Sequence, residues 1–272
     1  MSSSTPSTLS FKKAIITGGA GGLGRAMAES LIKQGKRVII VGRTESKLKE
    51  AAEQIGAETY YILDTSDNSS IPEFVKKVTT EHPDVDCLIN NAGVQRPFQF
   101  PGAGSDYPFD LGKADAEINT NIRGPMHLTL HLLPHFQKQE SGVIMNVSSI
   151  LGFNPTTLIN PVYNGTKAWL HSFTLNLRTE LANSQQRIKV VEIAPPSVET
   201  DLHRERKDPD DNKRAAGNKI AMTVPEFMAE VEQGWKEDAD IIAPGRAGAV
   251  VAKWYEAYGK GYSMATSKAT RL

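Results

Sequence analysis

Apolar residues along the chain fall into two alternating patterns. Short unbroken runs occur at KAIIT (13–17), RVIIVG (37–42), TYYIL (59–63), VDCLIN (85–90), GVIMNVS (142–148) and IKVVEIA (188–194). Between them, apolar positions recur every three or four residues, over 22–35, 45–55, 71–81, about 111–138 and about 161–183. Gly35 closes the first of these stretches and Pro72 sits in the first turn of the third, as helix ends favour. Unbroken apolar runs predict strands buried on both faces, and amphipathic segments between them predict the covering helices. The order predicts an α/β fold, a doubly wound parallel sheet with right-handed crossovers. No linker or internal repeat interrupts it, so one domain is expected over 12–260, behind a disordered lead-in (1–11) and before a polar tail (261–272).

Composition narrows the function. Lysine plus arginine and aspartate plus glutamate both number 31, so the formal net charge is zero, and no basic stripe stands out. That argues against a nucleic-acid partner. The one dense charge run, RERKDPDDNKR (204–214), mixes both signs and reads as a solvated loop. The single cysteine, Cys87, excludes an intramolecular disulfide and reads as a small buried filler in a reducing compartment. No apolar run approaches the ~18 residues of a membrane helix, and the polar N-terminus lacks signal-peptide features. A cytoplasmic protein without a membrane partner is expected. Thr270-Arg271-Leu272 distantly resembles a peroxisomal tripeptide.

Two local patterns carry chemistry. TGGAGGLG (17–24) joins the first strand to the first helix, where glycines permit a tight turn and close approach of backbone to phosphate. The helix start adds free N–H groups and a positive dipole end. Tyr163 and Lys167 stand one helical turn apart on the same face. A free phenol titrates near ~10, and an ammonium beside it stabilises the phenolate. In isolation that spacing is common in helices; after strand and loop in a dinucleotide fold it reads as a proton-transfer pair.

The glycine spacing is Thr17-Gly18-x-x-x-Gly22-x-Gly24 rather than GxGxxG. LDTSD (63–67), NNAG (90–93), NIRG (121–124), NVSSILG (146–152), Tyr163-x-x-x-Lys167 and PPSVETDL (195–202) follow in order. Over roughly 12–202 the chain thereby resembles the short-chain dehydrogenase/reductase family. The resemblance implies a Rossmann-type single domain and hydride transfer with a nicotinamide dinucleotide. Tyr163 would then exchange the proton with the substrate oxygen, Lys167 would lower the phenol's pKa and hold the ribose, and Ser149 would polarise the substrate oxygen. Ser149, rather than Ser148, precedes x-x-Gly at Gly152. Its interval to Tyr163 is one residue longer than the family's usual spacing, which bears on the shape of the loop. Asn121 would bind a water that extends a proton relay. Gly18, Gly22, Leu23, Gly24, Asn91, Ala92 and Gly93 would hold the cofactor, with Asp64 at the adenine end. Val198 and Thr200 would hold the carboxamide, and Arg123 would reach phosphate or ribose.

NAD enzymes of this fold carry an acidic residue at the end of the second strand. Here Gly42 occupies that place and Arg43 follows, a group suited to a 2′-phosphate, although Glu45 lies near. The expected function is therefore NADP(H)-dependent interconversion of a ketone or aldehyde with an alcohol. Alternatives are a non-catalytic NADP(H)-binding redox sensor, or a reductase of an imine or enoyl group. A substrate lid is expected over about 200–235, its polar stretch 203–222 mobile without ligand and 223–235 the next helix, with Pro225 near its start. The insert 94–109 carries Phe98, Phe100, Tyr107 and Phe109, which either line an apolar pocket or pack locally. The family's usual last strand has no counterpart in the sequence. Assembly through the two long helices is expected, as a homodimer or, second, a homotetramer.

Overall fold

The computed structural model describes residues 6–267, so Thr270-Arg271-Leu272 lies outside the described residues. Six strands arise from the six apolar runs: β1 (Lys13–Thr17), β2 (Arg37–Gly42), β3 (Thr59–Ile62), β4 (Cys87–Asn90), β5 (Gly142–Val147) and β6 (Ile188–Ile193). A seventh, β7 (Ile241–Ile242), pairs in parallel with Glu192 and Ile193. The last strand, expected to be missing, is thus present as a two-residue remnant; so short a run leaves no periodic signal. All pairings between strands are parallel, in the order β3-β2-β1-β4-β5-β6-β7.

Residue parity within the strands sorts the core into two layers. Ile16, Ile40, Ile89, Met145 and Val191 pack on one face with α1 (Gly22–Lys33) and α2 (Glu45–Ile55). Ile15, Ile39, Leu88, Ile144 and Val190 pack on the other with α3 (Ile71–Glu81). The helical run beyond 110 also belongs to the second face. It divides into α4 (Leu111–Ile118), a π turn (Asn119–Arg123) and α5 (Gly124–Phe136). α6 (Pro161–Asn183) covers that face beside it, and α7 (Val224–Lys236) returns to the first. α8 (Ala247–Trp254) and α9 (Lys260–Thr266) follow, so the expected polar tail is helical through Thr266, where Tyr262 donates to the Leu175 carbonyl (3.0 Å).

Residues 6–11, expected as part of a disordered lead-in, are docked. Phe11 is buried, and the Thr8 amide and hydroxyl both donate to Asp238 (2.6 Å each). A polar sequence hides this because two hydrogen bonds and one aromatic ring suffice. Among the described residues no helix is long and apolar enough to cross a membrane.

Candidate active site

The segments following β1 to β6 open into one cleft of about 560 Å³, at the point where the strand order reverses between β1 and β4. The glycine turn forms one wall. Gly22 adopts φ +51°, a left-handed conformation that side chains disfavour, and a Cβ there would meet Thr200 at 3.7 Å. At Gly24 the cause is proximity: a Cβ would lie 2.4 Å from both the Gly18 carbonyl and Asn91 Nδ2. The glycine cradle leaves the first turn of α1 without a side-chain cap, its N–H groups free toward the cleft. These features fit a dinucleotide pyrophosphate. Thr17 fixes the facing loop, its hydroxyl accepting from the amides of Asn91 and Ala92 (3.0 Å each).

All the sequence-derived site residues line the cleft except Gly24, Asn121 and Arg123. Gly24 acts by close packing beneath the turn. Arg123, expected to reach phosphate or ribose, is exposed on the π turn, away from the cleft lining, and donates to Asn119 Oδ1 (3.0 Å). Asn121 is buried behind the cleft wall. Its carbonyl accepts from the Val94 amide (2.9 Å), and its Nδ2 donates to the Val94 carbonyl (2.8 Å) and Thr166 Oγ1 (3.1 Å). Both amide hydrogens of the side chain are thereby bonded to protein. The side chain clasps the β4 loop to α6.

Ser149, Tyr163 and Lys167 meet at the cleft's centre. Ser149 caps a short turn, its Oγ accepting from the Leu151 amide (3.1 Å), and its side chain hydrogen-bonds the Tyr163 phenol. Ser148 also lines the cleft, but its Oγ is directed to the Ile193 carbonyl (3.4 Å). Lys167 Nζ donates to the Val147 carbonyl (2.8 Å) and lies 5.5 Å from the Tyr163 ring centroid.

Burial pushes the phenol's pKa well up; the Ser149 bond opposes this and the charge of Glu117 adds to it. Lys167 was expected to lower that pKa, and burial acts against it. Burial lowers the lysine itself to about 8, with Glu117 acting the other way.

Several cleft residues carry no motif. Lys47, in the first turn of α2, joins Arg43 at the end of β2. Its one-turn spacing after Arg43 is the sole sequence signal. Arg43 lies 3.8 Å from Asp64, with both side chains largely exposed, so the arginine remains available. At the opposite end stand His203, Arg204 and Arg206 from the segment after β6. The insert aromatics do not line the cleft: Phe109 stacks between Phe98 (4.9 Å) and Phe100 (5.3 Å). Of the two readings of these rings, local packing holds.

The 203–222 segment, expected to be mobile without ligand, carries three consecutive residues, 205–207, that each bond to the insert. Glu205 pairs with Arg96 (3.0 Å), Arg206 bonds Asn160 (2.7 Å), Gln95 (3.1 Å) and Asp211 (2.5 Å), and Lys207 pairs with Asp106 (2.5 Å).

A family profile described as short chain dehydrogenase matches residues 12–211. The chain belongs to the short-chain dehydrogenase family. As an oxidoreductase of that family it resembles the Bacillus subtilis (strain 168) protein called uncharacterized oxidoreductase DltE. The two are 38% identical over 194 residues, 71% of this chain and 74% of the relative. A solved short-chain dehydrogenase from Sphingobium yanoikuyae in complex with NADPH shares the fold with TM-score 0.78 at 22% identity, covering 94% of this chain and 95% of its own. The closed form of a serine dehydrogenase complexed with NADP+ aligns with TM-score 0.70 at 29% identity, covering 81% and 87%. Such neighbours hold NADPH in one case and NAD in another.

Proposed function

We propose that this short-chain dehydrogenase is an NADP(H)-dependent oxidoreductase that interconverts a ketone or aldehyde with its alcohol. One observation carries the reading: Tyr163, hydrogen-bonded by Ser149 and flanked by Lys167, faces a cleft whose other wall is an uncapped glycine-rich phosphate cradle. Arg43 and Lys47 line the cleft beyond β2 and would suit a 2′-phosphate, and Gly42 stands at the position where NAD enzymes carry an acidic residue. The serine dehydrogenase neighbour, with NADP+, supports the same choice.

The dinucleotide, when bound, supplies the hydride. Gly22 and the first turn of α1 would hold its pyrophosphate, and Val198 and Thr200 its carboxamide. Ser149 would accept or donate at the substrate oxygen and hold it against the phenol. Tyr163 would give its proton to that oxygen during reduction and take it back during oxidation. Lys167 would balance the phenolate that forms. Assembly as a homodimer through the 111–136 run and α6, with a homotetramer second, belongs to the same reading. Leu130 is exposed on α5, and the stacked Trp169 and Phe173 (4.9 Å) remain partly exposed on α6. Light scattering of purified protein measures this directly.

The test of activity is NADPH oxidation against a panel of ketones, aldehydes, imines and enoyl compounds. Turnover with carbonyls alone is expected. Turnover only with imines or enoyl compounds would change the reaction assigned, and NADPH binding without oxidation by any acceptor would replace the enzyme with a redox sensor.

A further inference from the structure

Glu117 is a fully buried carboxyl to which the hydride-transfer reading gives no task. It stands on α4 one turn before Asn121, facing the same way, and does not line the cleft. Its Oε2 accepts from the Arg96 amide (3.0 Å), while its Oε1 is buried without a partner. Arg96 is a junction. Its carbonyl accepts from Asn160 Nδ2 (3.0 Å), the residue preceding α6, and its guanidinium pairs with Glu205 in the 201–222 segment. Asn121 Nδ2 in turn donates to Thr166 Oγ1 (3.1 Å), the residue before Lys167, so this stretch meets α6 beside the pair; the charges acting on the carboxyl are those of Arg96 from the β4 loop, Glu205 from that segment and Lys167 from α6, and its own charge acts on Tyr163.

We propose that Glu117 is a positioning residue of the reaction, a buried carboxyl that sets the protonation of the Tyr163–Lys167 pair from behind the cleft wall. The inference rests on the reading of Tyr163 as the acid and base. Burial pushes Glu117 up to about 8, against the pull of Arg96. Below that pH it is neutral and leaves the pair alone. Above it, the carboxylate holds Tyr163 as phenol and Lys167 as ammonium. Alcohol oxidation requires phenolate, so Glu117 delays its onset with rising pH. Proton balance is kept within the triad: each proton Glu117 loses makes one on Tyr163 or Lys167 harder to remove.

Glu117→Gln keeps the volume and an acceptor for the Arg96 amide while deleting the charge. In the variant, the pH at which alcohol oxidation sets in is expected to fall by on the order of one unit, with dinucleotide affinity unchanged. A second readout needs no turnover. In ligand-free protein carrying ¹³C-labelled lysine, the Lys167 titration midpoint is expected to fall in the variant. A folded, active variant with an unmoved onset overturns the proposal, as does an unmoved lysine midpoint. A fallen midpoint in a protein that turns over no substrate upholds the role of Glu117 and sinks the acid–base reading of Tyr163 instead. Should the variant fail to fold, carboxyl ¹³C titration of the wild type decides. A glutamate titrating near pH 8 upholds the proposal, and carboxyls confined to the ordinary range overturn it.

Discussion

At the scale of single residues, the proposed chemistry depends on the Tyr163 phenol, whose pKa burial raises. Replacing Tyr163 with phenylalanine removes the proton and retains the ring. NADPH-dependent turnover should fall by roughly 10²–10⁴-fold, with NADPH affinity, measured by fluorescence titration, little altered. Arg43 tests the cofactor. Hydrogen bonds to charged groups contribute ~1.5–3 kcal/mol, so Arg43→Asp should weaken NADPH roughly tenfold to a hundredfold and NADH far less; equal losses would contradict the NADP(H) assignment. Glu117 also imposes a pH dependence on folding. Its carboxyl is raised from 4.5 to about 8 in the native chain, so between those values the native state binds more protons than the unfolded one. Stability should therefore decline as pH rises through that window and level off above it. Lys167, lowered from 10.5 to about 8, contributes the opposite slope at higher pH. Urea unfolding at pH 5.5 and pH 8 should show the decline in wild type and a flatter response in Glu117→Gln.

At the scale of elements, the turn between β1 and α1 and the π turn between α4 and α5 position the site. The first was legible: glycines at a strand-to-helix junction state their purpose. Gly24→Ala would force a Cβ to within 2.4 Å of the Gly18 carbonyl and Asn91 Nδ2, pushing α1 from the end of β4. Overpacking of this kind costs ~1–3 kcal/mol, and both the melting temperature and the dinucleotide affinity should drop. The π turn was not legible, because its residues suit an ordinary helix. It falls on Asn119–Arg123, where Asn121 faces α6 while Arg123 stays in solvent.

At the scale of the whole molecule, the segment after β6 and the insert after β4 close over the cleft from sequence-distant places. Arg206 is the bridge, its side chain only 11% exposed and joined to Gln95, Asn160 and Asp211. Arg206→Met should detach this corner locally rather than unfold the sheet, since local openings have their own, smaller free energies. Limited proteolysis within 201–222 is expected to accelerate while the melting temperature changes little; an unchanged cleavage rate would show that the clasp lies elsewhere.

The strands, the covering helices, the phosphate cradle and the Tyr163–Lys167 pair were all written in local order, because hydrophobic period and glycine placement act within a few residues. Local sequence could not decide which charges share a cavity. Glu117 and Arg96 read as ordinary polar residues, and the docked lead-in, the two-residue β7 and the inward stacking of Phe98 and Phe109 left no periodic trace. Burial and electrostatics are set by neighbours far away along the chain, and only packing brings those neighbours together.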